Sequence, residues 1–339
     1  MRAARTRRRS ACHTGAPEAR MTTGGDSLKV VVEHKAELGE GAFWDIERKV
    51  LIWLDILRGE VHQYDPETGI DRYVTVPGHC GTVVTRNTGG LVLAMPDQVA
   101  AINPNWEDAR RTGDAHTGPA DHTPSELAEP EGESITTLCD LETDIPENRA
   151  NDGKCDPRGR LWVGSISDKP SRGALYRVDC DHSVTRMVSQ VSVSNGICWD
   201  ESRQAMYYVD TPTMRVDRFD FDVDSGTISN RTPFIQVPKG MGAPDGMTID
   251  ANGDLWVAMW GGSAVTHWDG VTGALKATFD IPVERVTSCA FAGPNLETLY
   301  VTTAAVEVTP QEFKRQPLAG SLFSLNPGVN GLPMVGYCG

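Results

Sequence analysis

The sequence predicts an all-β fold built from repeated four-stranded sheets. The chain has 34 glycines and 21 prolines among its 339 residues, and they alternate with short runs of Val, Ile, Thr, Tyr and Trp, a pattern typical of strands joined by tight turns. Few segments have the apolar spacing of a helix. Turn-and-strand units recur at a period close to the roughly 40–50 residues of propeller blades. We therefore expect a six-bladed β-propeller with four antiparallel strands in each blade.

The first unit contains all the elements expected of one blade. A strand leads through a tight turn into a second strand, a third strand follows, and a fourth comes after another turn. These strands are Gly41–Trp44, Val50–Asp55, Glu60–Tyr64 and Arg72–Val76. Successive strands joined by short turns form an antiparallel meander, so this unit predicts one complete sheet.

Five further units begin with comparable turns, each followed by a strand-like run. Counted from Asp45, the turns begin at Arg86, Asp156, Asp200, Asp250 and Gly293, in steps of 41, 70, 44, 50 and 43 residues. The last unit has only three clear strands, which end at Ser321–Leu325, whereas Leu28–Glu33 is a spare strand ahead of the first unit. Pairing these two segments would let the N-terminal strand close the last blade and remove the exposed edges of the ring.

The propeller is expected to be a single domain spanning residues 27–339. Residues 1–26 are rich in arginine and lack the apolar segment of a secretory signal, so we expect a disordered extension or a segment upstream of a true initiator at Met21. The step of 70 residues contains a polar insertion at about 105–133, typical of a solvated or disordered segment. It joins a third to a fourth strand, so strand direction places it at the channel end opposite the site rather than over the site.

Composition excludes several classes of partner. The 46 acidic residues outnumber the 32 basic ones, which disfavours binding to a nucleic-acid backbone. No apolar run has the length of a membrane span. Eight cysteines without a C-x-x-C pair favour reduced, mostly buried thiols and a cytoplasmic location. The oligomeric state stays open between a monomer and a small homo-oligomer.

A polar residue occupies the same repeated position in four of the units. It lies five residues before the turn that follows the first strand, and the four residues are Glu40, Asn151, Asn195 and Asp245. In a ring of equivalent blades these side chains would surround one mouth of the central channel. The remaining two equivalents, Gly81 and Ser288, are not strong ligands and would leave room for a substrate.

Three of these residues are candidate ligands of one divalent cation. Glu40, Asn195 and Asp245 are each followed by glycine, which permits close backbone packing or an unusual φ at the channel rim. Their oxygens are hard donors, so Ca²⁺ is the first expectation, with Zn²⁺, Mg²⁺, Mn²⁺ and Fe²⁺ also compatible. Each residue alone would be an ordinary turn former, but the shared offset favours a metal site.

The block around Asn151 predicts contacts to a hydroxyl-rich ligand. Arg149 lies just outside the repeated position, and its donors, with those of Asn151, suit the oxygens of a polyol. Strict strand alternation would point Asp152 and Lys154 away from Asn151, so we expect them to form a structural ion pair. Trp260, at the same mouth, could flank the ligand or serve in packing.

The histidines are expected to be structural. His34, His62, His79 and His267 are isolated in the sequence and fit core or strand-surface positions. His116 and His122 lie in the polar insertion, where solvation is expected. Nucleophile-elbow, Walker A and H-E-x-x-H motifs are missing from the sequence, so none of those catalytic classes is indicated.

Five motifs together resemble one known family. They are LGEGAFWD (Leu38–Asp45), RANDGKCDPRGRLWVG (Arg149–Gly164), SNGICWD (Ser194–Asp200), APDGMTID (Ala243–Asp250) and GSLFSLNPGVNGLP (Gly320–Pro333). In combination they resemble the family of gluconolactonase, regucalcin (senescence marker protein) and luciferin-regenerating enzyme. The resemblance implies a six-bladed propeller, one divalent cation held by Glu40, Asn195 and Asp245, substrate contacts from Arg149 and Asn151, and hydrolysis of sugar lactones.

The resulting hypothesis is a metal-dependent lactone hydrolase. The cation would polarise the lactone carbonyl and activate a water molecule, and Asp245 would act as general base. One alternative is a hydrolase of another ester, aryl or phosphotriester, on the same metal. The other is a non-catalytic propeller that binds Ca²⁺ or a partner protein.

Overall fold

The structure is a computed structural model that describes residues 28–113 and 135–339. The extension at 1–26 and most of the insertion at 105–133, with His116 and His122, lie outside the described residues. In chain order the strands are β1 (Lys29–Val32), β2 (Gly39–Asp45), β3 (Val50–Asp55), β4 (Glu60–Asp65), β5 (Ile70–Thr75), β6 (Thr82–Thr85), β7 (Leu91–Ala94), β8 (Gln98–Ile102), β9 (Arg110–Arg111), β10 (Thr136–Asp140), β11 (Asn148–Cys155), β12 (Leu161–Ser167), β13 (Gly173–Val178), β14 (Val184–Val191), β15 (Ser194–Asp200), β16 (Ala205–Asp210), β17 (Arg215–Asp222), β18 (Thr227–Gln236), β19 (Ala243–Ile249), β20 (Leu255–Trp260), β21 (Ala264–Trp268), β22 (Leu275–Asp280), β23 (Val286–Ala292), β24 (Thr298–Thr303) and β25 (Leu322–Leu325). A 3₁₀ turn (Thr211–Thr213) follows β16, and the short helix α1 (Pro310–Phe313) precedes β25.

The strands form six sheets that close into a ring, which confirms the six-bladed propeller. Five blades are meanders whose first strands are β2, β6, β11, β15 and β19, and the sixth begins with β23. Each of these inner strands packs against the inner strands of its two neighbouring blades, including β23 against β2. Because every blade thus has two partners, the ring leaves no blade face without a neighbour.

The sixth blade is completed by the N-terminal strand, as predicted. Its order is β1–β25–β24–β23, and β1 pairs antiparallel with β25 through Lys29 opposite Ser324. The start and the end of the propeller therefore meet in one sheet. This pairing converts two free edges into a hydrogen-bonded ladder.

The insertion of the second blade adds a fifth strand to the first blade, which the sequence did not indicate. Strand β9 pairs with β5, with Arg111 opposite Arg72, and the Arg72 side chain donates to the carbonyl of Trp106 at 2.7 Å. Trp106 also lines a cavity with Asp45, the last residue of β2, and Arg48, in the turn that follows β2. The described start of the insertion thus lies at the end of the blade opposite Glu40.

The core consists of apolar layers between adjacent blades rather than one central cluster. Trp44, Trp53, Trp162 and Trp256 are fully buried in these layers, and Trp162 meets Trp199 of the next blade with ring centroids 5.9 Å apart. Burial of large apolar side chains stabilises a fold by about 1.5–3 kcal/mol each. These contacts show that the buried tryptophans serve in the packing between blades.

The turns that begin at Asp156 and Asp250 are each held by the carboxylate of that aspartate. Asp250 accepts backbone N–H groups of Asn252 (2.9 Å) and Asp254 (3.0 Å), and its other oxygen accepts the indole N–H of Trp256 (3.0 Å). Asp156 makes the corresponding bonds in the third blade, including one from Trp162 at 2.9 Å. A short acceptor at this position thus satisfies the turn and fixes a core tryptophan.

The last residues of the chain cross the end of the propeller opposite Glu40. Gly331 bridges Asp250 of the fifth blade, Met334 accepts the N–H of Trp44 in the first, and Tyr337 bridges Arg86 in the second. Met334 also lines the channel interior together with Gly41. This segment closes the channel at one end, so the opposite mouth is the side from which a ligand can approach the repeated polar residues.

A disulfide at the end of this segment contradicts the expectation that the cysteines are reduced. Cys180 and Cys338 are bonded, with Cα atoms 5.1 Å apart and a sequence separation of 158. They meet because the terminal segment follows the lower face into the third blade, where Cys338 N–H donates to Gly159 at 3.0 Å. The reduced-thiol argument for a cytoplasmic location therefore does not hold for this pair. Four of the remaining described cysteines are buried as free thiols (Cys80, Cys155, Cys198 and Cys289), and Cys139 is half-buried.

The helices of residues 28–113 and 135–339 are all too short and too polar to cross a bilayer.

Candidate metal centre

A β-bulge recurs at the upper end of five inner strands. Pairing with the second strand shifts within Glu40–Phe43, Ala150–Gly153, Ser194–Ile197, Pro244–Met247 and Val286–Ser288. A bulge leaves one residue unpaired and re-aims its side chain, and bulges are common beside active sites. Here the irregularity falls at the repeated polar position itself. It accounts for side chains that leave the strand ladder and converge at the channel mouth.

The glycines after the three candidate ligands are required by this geometry. Gly41 has a φ of +62°, a backbone conformation that residues with a side chain rarely adopt. At Gly196 an added Cβ would lie 2.6 Å from the carbonyl oxygen of Asp245, and at Gly246 it would lie 2.6 Å from Oγ of Ser288. Both reasons expected for these glycines therefore apply, at different positions.

A hydrogen-bonded chain links the predicted substrate contacts to a predicted ligand. Nη1 of Arg149 donates to Oδ1 of Asn151 at 2.9 Å, and Nδ2 of Asn151 lies 3.2 Å from Oδ1 of Asn195. The Asn195 amide in turn donates to Oγ1 of Thr211 at 2.8 Å, whose hydroxyl donates to the Pro244 carbonyl. These contacts orient the amide oxygen of Asn195 and tie the third, fourth and fifth blades together.

Glu40 and Asp245 form the acidic side of the same site. Both side chains are buried. Burial, followed by repulsion from Asp152, raises the pKa of Glu40 to about 8, although the Gly41 N–H and Arg149 oppose the shift. Burial, followed by repulsion from Glu40 and Asp152, raises the pKa of Asp245 well above its usual range. Buried carboxylates in mutual repulsion favour the binding of a cation.

Asp152 belongs to this acidic group, which corrects the expectation that it points away. The bulge between Ala150 and Gly153 breaks the strict alternation on which that expectation relied. Lys154 donates to the carbonyl of Met247 at 2.7 Å, and the expected ion pair with Asp152 is replaced by this bond. Lys154 acts on Asp152 through charge, since it opposes the rise in the Asp152 pKa that burial causes.

Two further aspartates hold the backbone that leads into the site. Asp55 accepts the N–H groups of Glu37 (2.7 Å) and Leu38 (3.0 Å), just before Glu40. Asp210 accepts those of Ser192 and Val193, just before Asn195. Both end the second strand of their blade, after Trp53-Leu54 and Tyr208-Val209. This repeated acidic end of a second strand is a signal that sequence reasoning passed over.

The positions without a ligand serve the packing of inner strands. A Cβ at Gly81 would lie 2.4 Å from the Ala150 carbonyl and 2.5 Å from that of Asn151. Ser288 is buried and faces Gly246. Small residues at these two positions therefore let neighbouring blades approach closely. Whether they also leave room for a substrate stays a prediction.

The rim of the mouth carries aromatic and cationic groups. Burial and the nearby charge of Arg149 lower the pKa of His79, and the charge of Glu37 opposes this shift. The guanidinium of Arg285 lies 5.6 Å from the ring centre of Trp260. Trp260 is thus engaged with a neighbouring cation, and a ligand contact from it stays a prediction.

Comparison with protein-family models matches residues 38–305 to the SMP-30/Gluconolactonase/LRE-like region. The chain belongs to this family. Within it, the chain is 37% identical over 307 residues to the Bacillus subtilis protein YvrE, which is named for a sugar lactone lactonase, covering 90% of this chain and 96% of that one. It is 32% identical over 320 residues to human regucalcin, covering 92% and 98%.

Solved structures of the SMP-30/gluconolactonase family have the same fold. A luciferin-regenerating enzyme superposes with a TM-score of 0.80 at 29% identity, covering 91% of this chain and 98% of that one. Regucalcin from Agrobacterium tumefaciens, described as a calcium-binding protein, superposes with a TM-score of 0.78 at 27% identity, covering 92% and 97%. These comparisons confirm the family and the propeller inferred from the sequence motifs.

Proposed function

We propose that this member of the SMP-30/gluconolactonase family is a metal-dependent hydrolase of sugar lactones. The observation that carries the proposal is the junction of two groups at one channel mouth. The hydrogen-bonded chain from Arg149 through Asn151 reaches Asn195, and the buried carboxylates of Glu40 and Asp245 adjoin it. Donors that suit sugar hydroxyls thus lie beside donors that suit a cation. The lactonase name of the Bacillus relative supports the substrate class.

The donor set fits a hard divalent cation. Glu40, Asn195 and Asp245 would hold it through two carboxylates and an amide oxygen, so Ca²⁺ is the first choice, with Zn²⁺, Mg²⁺, Mn²⁺ and Fe²⁺ compatible. The pKa values of Glu40 and Asp245 are raised because both carboxyl groups are buried and repel other carboxylates. A bound cation would stabilise their ionised forms. A divalent cation at this position would polarise the lactone carbonyl and lower the pKa of a water molecule.

The protein side chains would divide the remaining work. Asp245 would accept the proton of the attacking water as general base. Arg149 carries five N–H donors, and its bonds to Ala150 and Asn151 leave donors for substrate hydroxyls. Asn151 would orient the substrate while it fixes Asn195. Burial of the site restricts competing water and strengthens each of these interactions.

Calcium binding without turnover is a second candidate function. The Agrobacterium relative is described as a calcium-binding protein, and the same three oxygen donors would serve a storage or structural role. A third candidate, hydrolysis of aryl esters or phosphotriesters on the same cation, would use the same ligands with less use of Arg149. The three candidates differ in what the purified protein turns over.

Aldonolactone opening tests the proposal directly. The purified chain should open the lactone in a pH-stat assay, lose activity on chelation, and recover it on return of a divalent cation. Asp245→Asn should lower kcat/KM by about 100-fold or more, the size expected for loss of a general base. Asp222→Asn, at an exposed position on the fourth blade, is the matched control and should keep full activity.

Three outcomes would separate the candidates. Full lactone turnover in chelated protein or in Asp245→Asn would overturn the mechanism. Metal binding without turnover of any lactone or ester would favour the calcium-binding role. Faster turnover of an aryl ester or phosphotriester than of every lactone would favour the third candidate, a hydrolase of those esters.

A further inference from the structure

Three side chains outside the channel form a second group of candidate metal ligands. Nε2 of His34 lies 2.8 Å from Oε2 of Glu60, and Nε2 of His62 lies 3.4 Å from the same oxygen. All three ligand atoms lie within 4.8 Å of one another. His34 follows the ring-closing strand β1, whereas Glu60 and His62 lie on β4, the third strand of the first blade. Two histidines that are isolated in the sequence are therefore neighbours in the fold.

The cluster is closed to solvent, and one of its nitrogens has only a long contact to a partner. The side chains of His34, Glu60 and His62 are 4%, 8% and 0% exposed. Nε2 of His62 is buried and makes no well-formed hydrogen bond. Buried polar atoms are almost always satisfied, so a nitrogen whose contact to Glu60 is as long as 3.4 Å could accept a closer partner such as a metal ion.

A carboxylate on the far side of His62 prepares that nitrogen for coordination. Nδ1 of His62 lies 2.8 Å from Oδ2 of Asp71, and Asp71 also accepts from the Trp53 indole at 2.9 Å and from the Thr112 hydroxyl. Burial lowers the pKa of His62, but Asp71 and Glu60 outweigh it and raise the pKa to about 9, so a metal ion would have to displace the Nε2 proton. With Nδ1–H donated to Asp71, the deprotonated Nε2 would then present its lone pair to the cluster. Such carboxylate–histidine pairs support metal-ligating histidines in many sites. The Trp53 ring stacks on His62 at 3.8 Å and fixes its plane.

We propose that His34, Glu60 and His62 bind a second divalent metal ion, best suited to Zn²⁺, which fastens the ring-closing segment to the first blade. Two imidazole nitrogens and one carboxylate oxygen are ligands that zinc prefers. Tetrahedral coordination with bonds of about 2.0–2.2 Å separates ligand atoms by about 3.3–3.5 Å. The 3.4 Å separation already matches, and the 2.8 Å separation requires a small opening.

One neighbouring cation opposes this site and has other partners. Nη1 of Arg58 lies 3.5 Å from Nε2 of His34. Arg58 also donates to the Lys35 carbonyl at 3.1 Å, and its Nε lies 3.5 Å from Asp55. These two acceptors can retain the guanidinium when a metal ion occupies the cluster.

The fifth blade contains a similar cluster that already has a cation. His267 stacks on Trp256 at 4.2 Å, much as His62 stacks on Trp53, and lies near Asp250 and Asp254. There, however, Nζ of Lys276 binds Asp254 at 2.6 Å, so an ammonium supplies the positive charge. His267 therefore provides a matched control for the first blade.

Metal titration in a chain without the channel site tests the proposal. The untagged full-length chain carrying Glu40→Gln and Asp245→Asn is stripped with chelator and titrated with Zn²⁺ by calorimetry, with metal content measured after gel filtration. We expect one equivalent bound, loss of at least about 100-fold in affinity on adding His34→Gln, and no change on adding His267→Gln. Asp71→Asn should weaken binding by about 10–100-fold, as for other supporting carboxylates.

Two measurements keep the result independent of folding defects and of the channel site. Circular dichroism establishes that each variant is folded, and Co²⁺ substitution reports tetrahedral nitrogen ligation through its visible absorption. Absence of stoichiometric Zn²⁺ in the folded Glu40→Gln/Asp245→Asn chain would overturn the proposal, and would indicate a protonated His62 held between Glu60 and Asp71. Binding that survives His34→Gln would also overturn it. Neither result bears on lactone turnover by the wild-type chain.

Discussion

Asn151 is the side chain that joins the two parts of the channel site. Its oxygen accepts from Arg149 and its nitrogen donates to the Ser194 carbonyl at 2.7 Å and approaches Oδ1 of Asn195. It can therefore act on a substrate directly and on the cation through Asn195. Within the described site, Asn151 is the amide that contacts both a proposed substrate residue, Arg149, and a proposed metal ligand, Asn195.

Replacing Asn151 by alanine should separate these two effects. We expect kcat/KM for the lactone to fall by about 10–100-fold, because both orientation of Arg149 and a substrate contact are lost. Metal affinity should fall by about 10-fold or less, since one hydrogen bond to the ligand contributes about 1 kcal/mol. Lactone kinetics and metal titration on the same preparation check this. Asn230→Ala, at an exposed position that contacts Asp220, should change neither value, and a loss of metal affinity that exceeds the loss of kcat/KM would contradict the substrate role.

At this scale the sequence predicts residues that share a spacing and misses those brought together by irregular backbone. Glu40, Asn195 and Asp245 could be found because one offset recurs in equivalent strands. Asp152 could not, because a bulge reverses the side to which it points. The contact of His34 with Glu60, 26 residues apart, exists only because the ring closes, and no local pattern encodes it.

At the scale of single elements, the bulged inner strands determine where the site residues point. The bulge positions recur in blades one, three, four, five and six. Close inter-blade contacts at Gly196 and Gly246 keep these strands together. The strands themselves were predictable from alternation and turns, whereas the bulges and the added strand β9 depend on contacts between blades.

Gly196→Ala should therefore disturb both stability and activity. The new Cβ would lie 2.6 Å from the Asp245 carbonyl and from Cβ of Met247, so β19 must shift with its proposed ligand. Overpacking of this kind costs about 1–3 kcal/mol, and kcat/KM should fall by about 10-fold or more. Thermal unfolding and lactone kinetics give the two values. Gly240 has a left-handed backbone, but an added Cβ would meet open space. As the control, Gly240→Ala should lower the free energy of unfolding by about 1 kcal/mol and leave kcat/KM unchanged. Equal losses of kcat/KM in both variants would contradict the contact argument.

The turn that begins at Asp250 predicts a defined pH dependence of stability. Burial opposes ionisation of Asp250, but hydrogen bonds from His267, Trp256 and the backbone of Asp254 and Asn252 outweigh it and lower the Asp250 pKa. A lowered carboxyl pKa adds stability above the unfolded value, about 3.9, and this stability is lost as pH falls through the folded pKa. The titratable groups near Asp250 are those of His267, Asp254 and Lys276.

Asp250→Asn should be less stable than wild type at pH 7 by about 1–3 kcal/mol, with a difference that shrinks below pH 4. Urea unfolding at pH 7, 5 and 3.5 measures the difference in free energy of unfolding. Asp97→Asn, at an exposed position between β7 and β8, should show almost no difference at pH 7. A difference for Asp250→Asn that stays constant down to pH 3.5 would show that the amide disrupts the turn sterically rather than through lost charge.

At the scale of the whole molecule, the ring is closed twice. Strand β1 completes the sixth blade at its outer edge, and the terminal segment crosses the lower face from Gly331 to Cys338. The first closure could be predicted from a missing strand and a spare one. The second could not, because its contacts are backbone bridges and one disulfide between residues that are distant in sequence.

The Cys180–Cys338 disulfide should stabilise the propeller without affecting the chemistry at the opposite mouth. Cross-linking residues 158 apart restricts the unfolded chain, and native disulfides typically contribute about 2–5 kcal/mol. The double variant Cys180→Ser/Cys338→Ser should lose free energy of unfolding in that range, and dithiothreitol should lower the Tm of the wild type but leave that of the variant unchanged. Cys139→Ser, at a half-buried free thiol, is the control for loss of a cysteine alone. Lactone turnover at 25 °C should stay within about twofold of the oxidised wild type in the double variant, in the reduced wild type and in Cys139→Ser, because the terminal segment contacts turns at the end of the propeller opposite Glu40. A large loss of turnover in the folded double variant would show instead that closure of this end positions the site.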